Sequence, residues 1–148
     1  MATAVRTQRY YEDVNVGEEI PGFDLDLDWT RMAKQVSGSQ DFYPVHHDPE
    51  FAQAGGHIGI FYNTGFTRAA LGRCLTDWMG PEGWLKKLRF EMRRMNRNGD
   101  VMRLRGKVTG KQPVVDGKGD IEVEVWVENN HEGITTPATA VVSLPSRG

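Results

Sequence analysis

Residues 41–49 read Asp-Phe-Tyr-Pro-Val-His-His-Asp-Pro. This run places a carboxylate, Asp41, five residues before an imidazole, His46. On a helix that spacing would send the two side chains to different faces. Pro44 forbids a regular helix and holds Tyr43 extended. A tight loop can instead fold both groups toward one point. A carboxylate and an imidazole that share one water form an acid–base pair: one takes a proton from water while the other gives a proton or holds the water in line. The same two residues also fit a plain structural role, with Asp41 satisfying loop amides and His46 a satisfied loop histidine. A metal site from His46, His47 and Asp48 is the weaker reading, because adjacent histidines rarely aim at one ion. The other histidines, His57 and His131, are scattered.

Two further features bear on chemistry. Gly55, Gly56 and Gly59 precede a long apolar-periodic stretch. Free amides at a helix start attract developing negative charge, as on a carbonyl oxygen; alternatively these glycines only turn the chain. Asn63 and Thr67 fall early on the same stretch, within reach of a ligand at its start. From Lys86 to Arg105 the chain carries eight Lys and Arg against Glu91 and Asp100. Phosphates can dock on such a run, and so can a nucleic-acid backbone, and a solvated strand face has the same composition. Cys74, the one cysteine, lies on the apolar side of the long helix and reads as core rather than nucleophile.

These groups need a scaffold. Phe23, Leu25, Leu27 and Trp29 alternate with aspartates, a strand with one buried face. Thr30 is placed to cap a short helix ended by Gly38. Asp48-Pro49 starts a brief helix that stops at Gly55-Gly56. A longer helix is expected over residues 59–78, where Phe66, Ala70 and Cys74 sit four apart, as do Leu71 and Leu75. Strands follow over residues 88–92, 101–109, 121–128 and 134–144, separated by turn signals at Asn98-Gly99 and Asp116-Gly117. Pro137 puts the last strand at an edge or on a bulge. The result is an α+β domain spanning residues 1–148, with 1–9 loose and an antiparallel sheet wrapped around one long helix. Unpaired edges and apolar surface then call for a dimer.

The whole-chain properties narrow the function classes. A chain of 148 residues suffices for one core. The formal net charge of −2 gives no global pull toward nucleic acid or an anionic membrane. No signal core and no run of about 20 apolar residues is present. One cysteine suits a reducing cytoplasm.

The run from Asp41 to Pro49 resembles the hydratase motif of the MaoC-like family of hot-dog proteins. The opening Tyr11-Glu12-Asp13-Val14-Asn15-Val16-Gly17, the central helix and Gly99-Asp100 before a strand fit as well. More narrowly, Val45-His46-His47-Asp48, Ile60-Phe61-Tyr62-Asn63, Thr76-Asp77-Trp78 and Gly80-Pro81 are similar to the small catalytic subunit of actinobacterial steroid side-chain hydratases, which pairs with a second, non-catalytic MaoC-like chain. The resemblance implies hydration of a trans-2-enoyl-coenzyme A thioester to the 3R-hydroxyacyl product, with Asp41 and His46 holding the water. It implies that the Gly59 amide meets the thioester carbonyl, although Ile58 stands where the family has a histidine. Thr67 falls near a serine of some members. Arg93 and Arg94 are the candidates for the coenzyme A phosphates. No metal or redox cofactor is implied, and the partner is a second copy or a second MaoC-like chain. The competing readings are a hot-dog thioesterase, a non-catalytic acyl-CoA-binding subunit and a small nucleic-acid binder.

Overall fold

The computed structural model describes residues 7–148. Five strands form one antiparallel sheet in the order β1-β3-β4-β5-β2, with β1 Glu19–Asp26, β2 Trp84–Phe90, β3 Val101–Lys111, β4 Lys118–Asn129 and β5 Gly133–Pro145. Three helices lie between β1 and β2: α1 Trp29–Ser39, α2 Pro49–Ala54 and α3 Thr64–Met79. The long helix α3 packs against all five strands. Its buried residues Ala70, Leu71, Cys74, Leu75 and Trp78 meet the inward row Ile121, Val123, Val125 and Val127 of β4 and its neighbours. Glu122 and Glu124 point outward from the same strand, the alternation expected of a sheet buried on one face. The fold is thus the expected α+β sheet around one central helix.

The strands match the periodicity, and their ends move for local reasons. β1 stops at Asp26 because Asp28, not Thr30, caps α1, its carboxylate accepting from the Arg31 amide at 2.6 Å. Trp29 is therefore the first helical residue rather than a strand position. α1 runs past Gly38 and ends at Gln40, which adopts the left-handed conformation (φ 54°). β1 carries a bulge between Ile20 and Phe23 that sets Gly22 against β3. A Cβ at Gly22 would lie 1.6 Å from the Leu104 carbonyl oxygen, so only glycine fits.

Two expectations need correction. β5 is an interior strand, paired with both β4 and β2, not an edge. Pro137 is tolerated because β2 pairs only as far as Phe90 opposite Ala138. Beyond it the Pro137 carbonyl accepts from the Glu91 amide at 3.1 Å, so the ring nitrogen faces that same open side and β4 loses no donor. The bulge sits two residues earlier, where the register with β4 steps from Thr136 to Ile134.

The long helix also starts at Thr64 rather than near Gly59. Residues 60–62 are extended instead. Phe61 bridges to Arg97, the Tyr62 amide donates to the Asn96 carbonyl (2.9 Å), and the Asn98 amide donates to the Ile60 carbonyl (3.2 Å). Tertiary pairing wins over an apolar spacing that a helix could also have used.

Residues 1–6 lie outside the described residues, so the loose segment expected over 1–9 is visible only from residue 7. There the Arg9 amide donates to the Met79 carbonyl, Gln8 donates its side-chain amide to the same oxygen, and Arg9 pairs with Glu18.

Candidate active site

Asp41 follows the end of α1, and His46 closes the short 3-10 turn Pro44–His46 that proline initiates. The turn brings the two side chains together: His46 Nε2 lies 3.4 Å from Asp41 Oδ2. The His46 ring is buried, while the Asp41 carboxylate remains partly open to solvent. On its far side the ring rests on backbone, with Nδ1 2.7 Å from the Phe61 carbonyl oxygen. A carbonyl can only accept, so Nδ1 carries the proton and, in the neutral ring, Nε2 presents its lone pair to Asp41. Two acceptors 3.4 Å apart do not bond to each other. They suit a water that donates one hydrogen to each and turns its own lone pairs outward.

The Phe61 carbonyl is placed by a second loop. Residues 96–98 pair with 60–62, and the buried Asp100 fixes their path. Asp100 accepts from the Arg97 amide at 2.8 Å and from Asn129 at 3.3 Å. Its other oxygen lies 3.4 Å from His131 Nε2.

Asn63 is the third group at the pair. It caps α3, its Oδ1 accepting from the Phe66 amide at 2.8 Å, and its Nδ2 donates to Asp41 Oδ2 at 2.8 Å. That amide bond holds the Asp41 carboxyl below the ordinary carboxylate range, opposed by partial burial and aided by the Tyr43 amide.

The remaining sequence candidates lie elsewhere. Gly59 sits in the loop before residues 60–62, five residues ahead of α3. With Phe61, Arg93, Arg94 and Arg97 it lines a cleft of about 240 Å³. Arg93 pairs with Glu91 at 3.2 Å there. Thr67 is fully buried, and its hydroxyl turns back to the Asn63 carbonyl at 3.5 Å. His47 reaches the Phe42 carbonyl at 2.9 Å, closing the 42–47 loop on itself. Burial pushes the Cys74 thiol up to about 11, which suits a core residue. The structure therefore brings together Asp41, His46 and Asn63, and groups Gly59 with the arginines. Phe61 was not among the sequence candidates, because it acts through its backbone, which no residue type advertises. The capping role of Asn63 had a signal, an asparagine three residues before the Phe66 amide.

No protein-family model matches the chain. It is 30% identical over 129 residues to the beta subunit of the 3-oxo-4,17-pregnadiene-20-carboxyl-CoA hydratase of Mycobacterium tuberculosis, covering 87% of this chain and 95% of that one. Among solved structures, the ChsH1-ChsH2 complex from M. tuberculosis superposes with a TM-score of 0.77 at 31% identity, over 88% of this chain and 98% of that one. A MaoC-like dehydratase from Rhodospirillum rubrum shares the fold, with a TM-score of 0.80 at 19% identity, over 95% of this chain and 99% of that one. The chain belongs to the MaoC-like family of hot-dog proteins, an enoyl-CoA hydratase family.

Proposed function

We propose that this chain itself adds water to a trans-2-enoyl-coenzyme A thioester, giving the 3R-hydroxyacyl product. The observation that carries the reading is the 3.4 Å gap between two acceptors, Asp41 Oδ2 and the Nε2 of a ring whose Nδ1 is locked on Phe61. A water held there has its lone pairs free for C3 of the substrate. As its oxygen bonds to C3, one of its protons passes to the pair, and the C2–C3 π electrons take a proton from the pair at C2. The pair returns to its starting state, and H and OH have been added across the double bond. Negative charge that builds on the thioester oxygen needs a donor, and the Gly59 amide fills that role in this reading. Arg93 and Arg94, in the same cleft, take the coenzyme A phosphates. Addition of water changes no net oxidation state, so we ascribe no redox cofactor to the reaction, and coenzyme A enters as part of the substrate.

The likeness to a steroid hydratase subunit supports a steroid side-chain acyl group as substrate and a second MaoC-like chain as partner. Phe42 and Tyr43, large aromatic residues exposed on the loop that carries Asp41 and His46, support a covering chain on this side. The buried free cysteine supports a reducing cytoplasm as its location; among the described residues no helix is long and apolar enough to cross a membrane.

The test is loss of conjugated enoyl-thioester absorbance on mixing substrate with the purified chain, alone and co-expressed with a MaoC-like partner. Short-chain and steroid enoyl-CoA substrates are compared. Absorbance loss without thiol release is expected. Thiol release would make the protein a thioesterase, and binding without turnover in either preparation would make it a non-catalytic subunit.

A further inference from the structure

We infer that Asn63 is a positioning residue for Asp41: the amide that caps the long helix with its oxygen is thereby forced to present its nitrogen to the carboxylate. The inference rests on the reading of Asp41 as half of the water-holding pair.

Side-chain amide orientation is usually a matter of assignment. Here it is dictated. The Phe66 amide at the start of α3 is a donor and needs an acceptor, which is Asn63 Oδ1 at 2.8 Å. Nδ2 must then point the other way, and it meets Asp41 Oδ2 at 2.8 Å and Ser39 Oγ at 3.3 Å. Asn63 is buried, so water does not compete freely for either end. Ser39 is itself anchored, donating to the Gln35 carbonyl at 2.7 Å. The end of α1 and the start of α3 are therefore stitched together through one amide.

The geometry does two things for Asp41. It fixes the rotation of the carboxylate so that Oδ2, the oxygen bonded to Asn63, is also the one facing His46. It also favours the ionised form, since a donor of fixed direction stabilises a carboxylate and not its acid. The titratable side chain within ion-pair distance of Asp41 among the described residues is His46. Ser39 and Asn63 are uncharged, and Tyr43 supplies only its backbone amide at 3.4 Å.

Capping and positioning can be separated, because Asp and Ser cap helices about as well as Asn. Asn63→Ser keeps the cap and removes the Nδ2 donor that reaches Asp41, since the shorter serine has one polar atom, which the cap occupies. Asn63→Asp keeps the cap and sets a second carboxylate against the first. The carboxyl carbon of Asp41 is followed by 13C NMR against pH in the full chain without substrate, its signal assigned with Asp41→Asn, beside thermal melts at pH 7. Asn63→Ser is expected to melt within a few degrees of wild type while the Asp41 midpoint rises by about one pH unit. Asn63→Asp is expected to raise it further, and the acid limb of kcat/KM should move with it. An unchanged Asp41 titration in both variants, whatever the melting temperature, would reduce Asn63 to a cap and overturn the inference. Because the titration needs no turnover, a lack of hydration both alone and with a co-expressed MaoC-like partner would refute the hydratase reading without deciding this one.

Discussion

His46 owes its chemical state to a backbone atom. The Phe61 carbonyl 2.7 Å from Nδ1 fixes the tautomer, and the opposite nitrogen is left to serve the water beside Asp41. Asp41 in turn is held ionised chiefly by the Asn63 amide. The sign of the pH dependence follows. A carboxyl with a depressed folded value stays charged down through the ordinary carboxylate range and loses its contribution only as pH falls through that lower value. The acid limb of kcat/KM due to Asp41 should therefore lie below the ordinary carboxylate pKa, and a pH-rate profile reads it directly; a limb at or above that pKa would contradict the assignment. At this scale the sequence was informative where proline forced a loop: the spacing let Asp41 and His46 meet, beside a plain structural role for each, and the family resemblance named them as a pair. It could not give the tautomer, because the partner of Nδ1 is a carbonyl fifteen positions along the chain.

The elements that set the pair are two loops rather than two regular structures. Residues 60–62 carry the Phe61 carbonyl, residues 96–98 hold them in place, and Asp100 holds 96–98. Asp100→Ala would take from the half-buried Arg97 amide its carboxylate acceptor and leave Asn129 only the Met95 carbonyl and Asn96 as acceptors, costing about 1–3 kcal/mol in chemical denaturation. It should also lower hydratase activity in the protein that remains folded, since Phe61 loses its support. Unchanged stability would show that the loop does not depend on this carboxylate. The helix start was misread for a related reason. Ile60, Phe61 and Tyr62 are apolar residues that continue the helical spacing of α3, but aromatic and β-branched side chains also suit extended pairing. Which of the two wins depends on the loop some 35 residues later. The Ile121–Glu128 alternation needed no such arbitration, and β4 stands where the period of two placed it.

At the scale of the whole molecule, polar and apolar surfaces flank the pair on different sides. The cleft with Gly59, Arg93, Arg94 and Arg97 is the cationic side, and exposed Phe42 and Tyr43 form part of the apolar one. If the cleft takes the phosphates of coenzyme A, Arg93→Ala with Arg94→Ala should raise KM roughly tenfold, about 1.4 kcal/mol, with kcat nearly unchanged. Raising the salt concentration should shrink that difference. A fall in kcat at unchanged KM would move these arginines out of the binding role. The net charge had already weakened a nucleic-acid reading, yet charge counting alone could not tell a phosphate cleft from a solvated strand face. The clustering of three arginines around one loop became visible only when the 93–97 segment was placed beside residues 56–61.

The central claim is that Asp41 and His46 act as one acid–base unit on one water. Its most direct test is the hydration rate of Asp41→Asn, His46→Ala and the double variant, each assembled as the active wild type is. Each single change should cost at least about 100-fold in kcat. The double variant should be little worse than either single one, because the two residues serve the same water. Wild-type rates in either single variant, or losses that simply multiply in the double, would contradict the account.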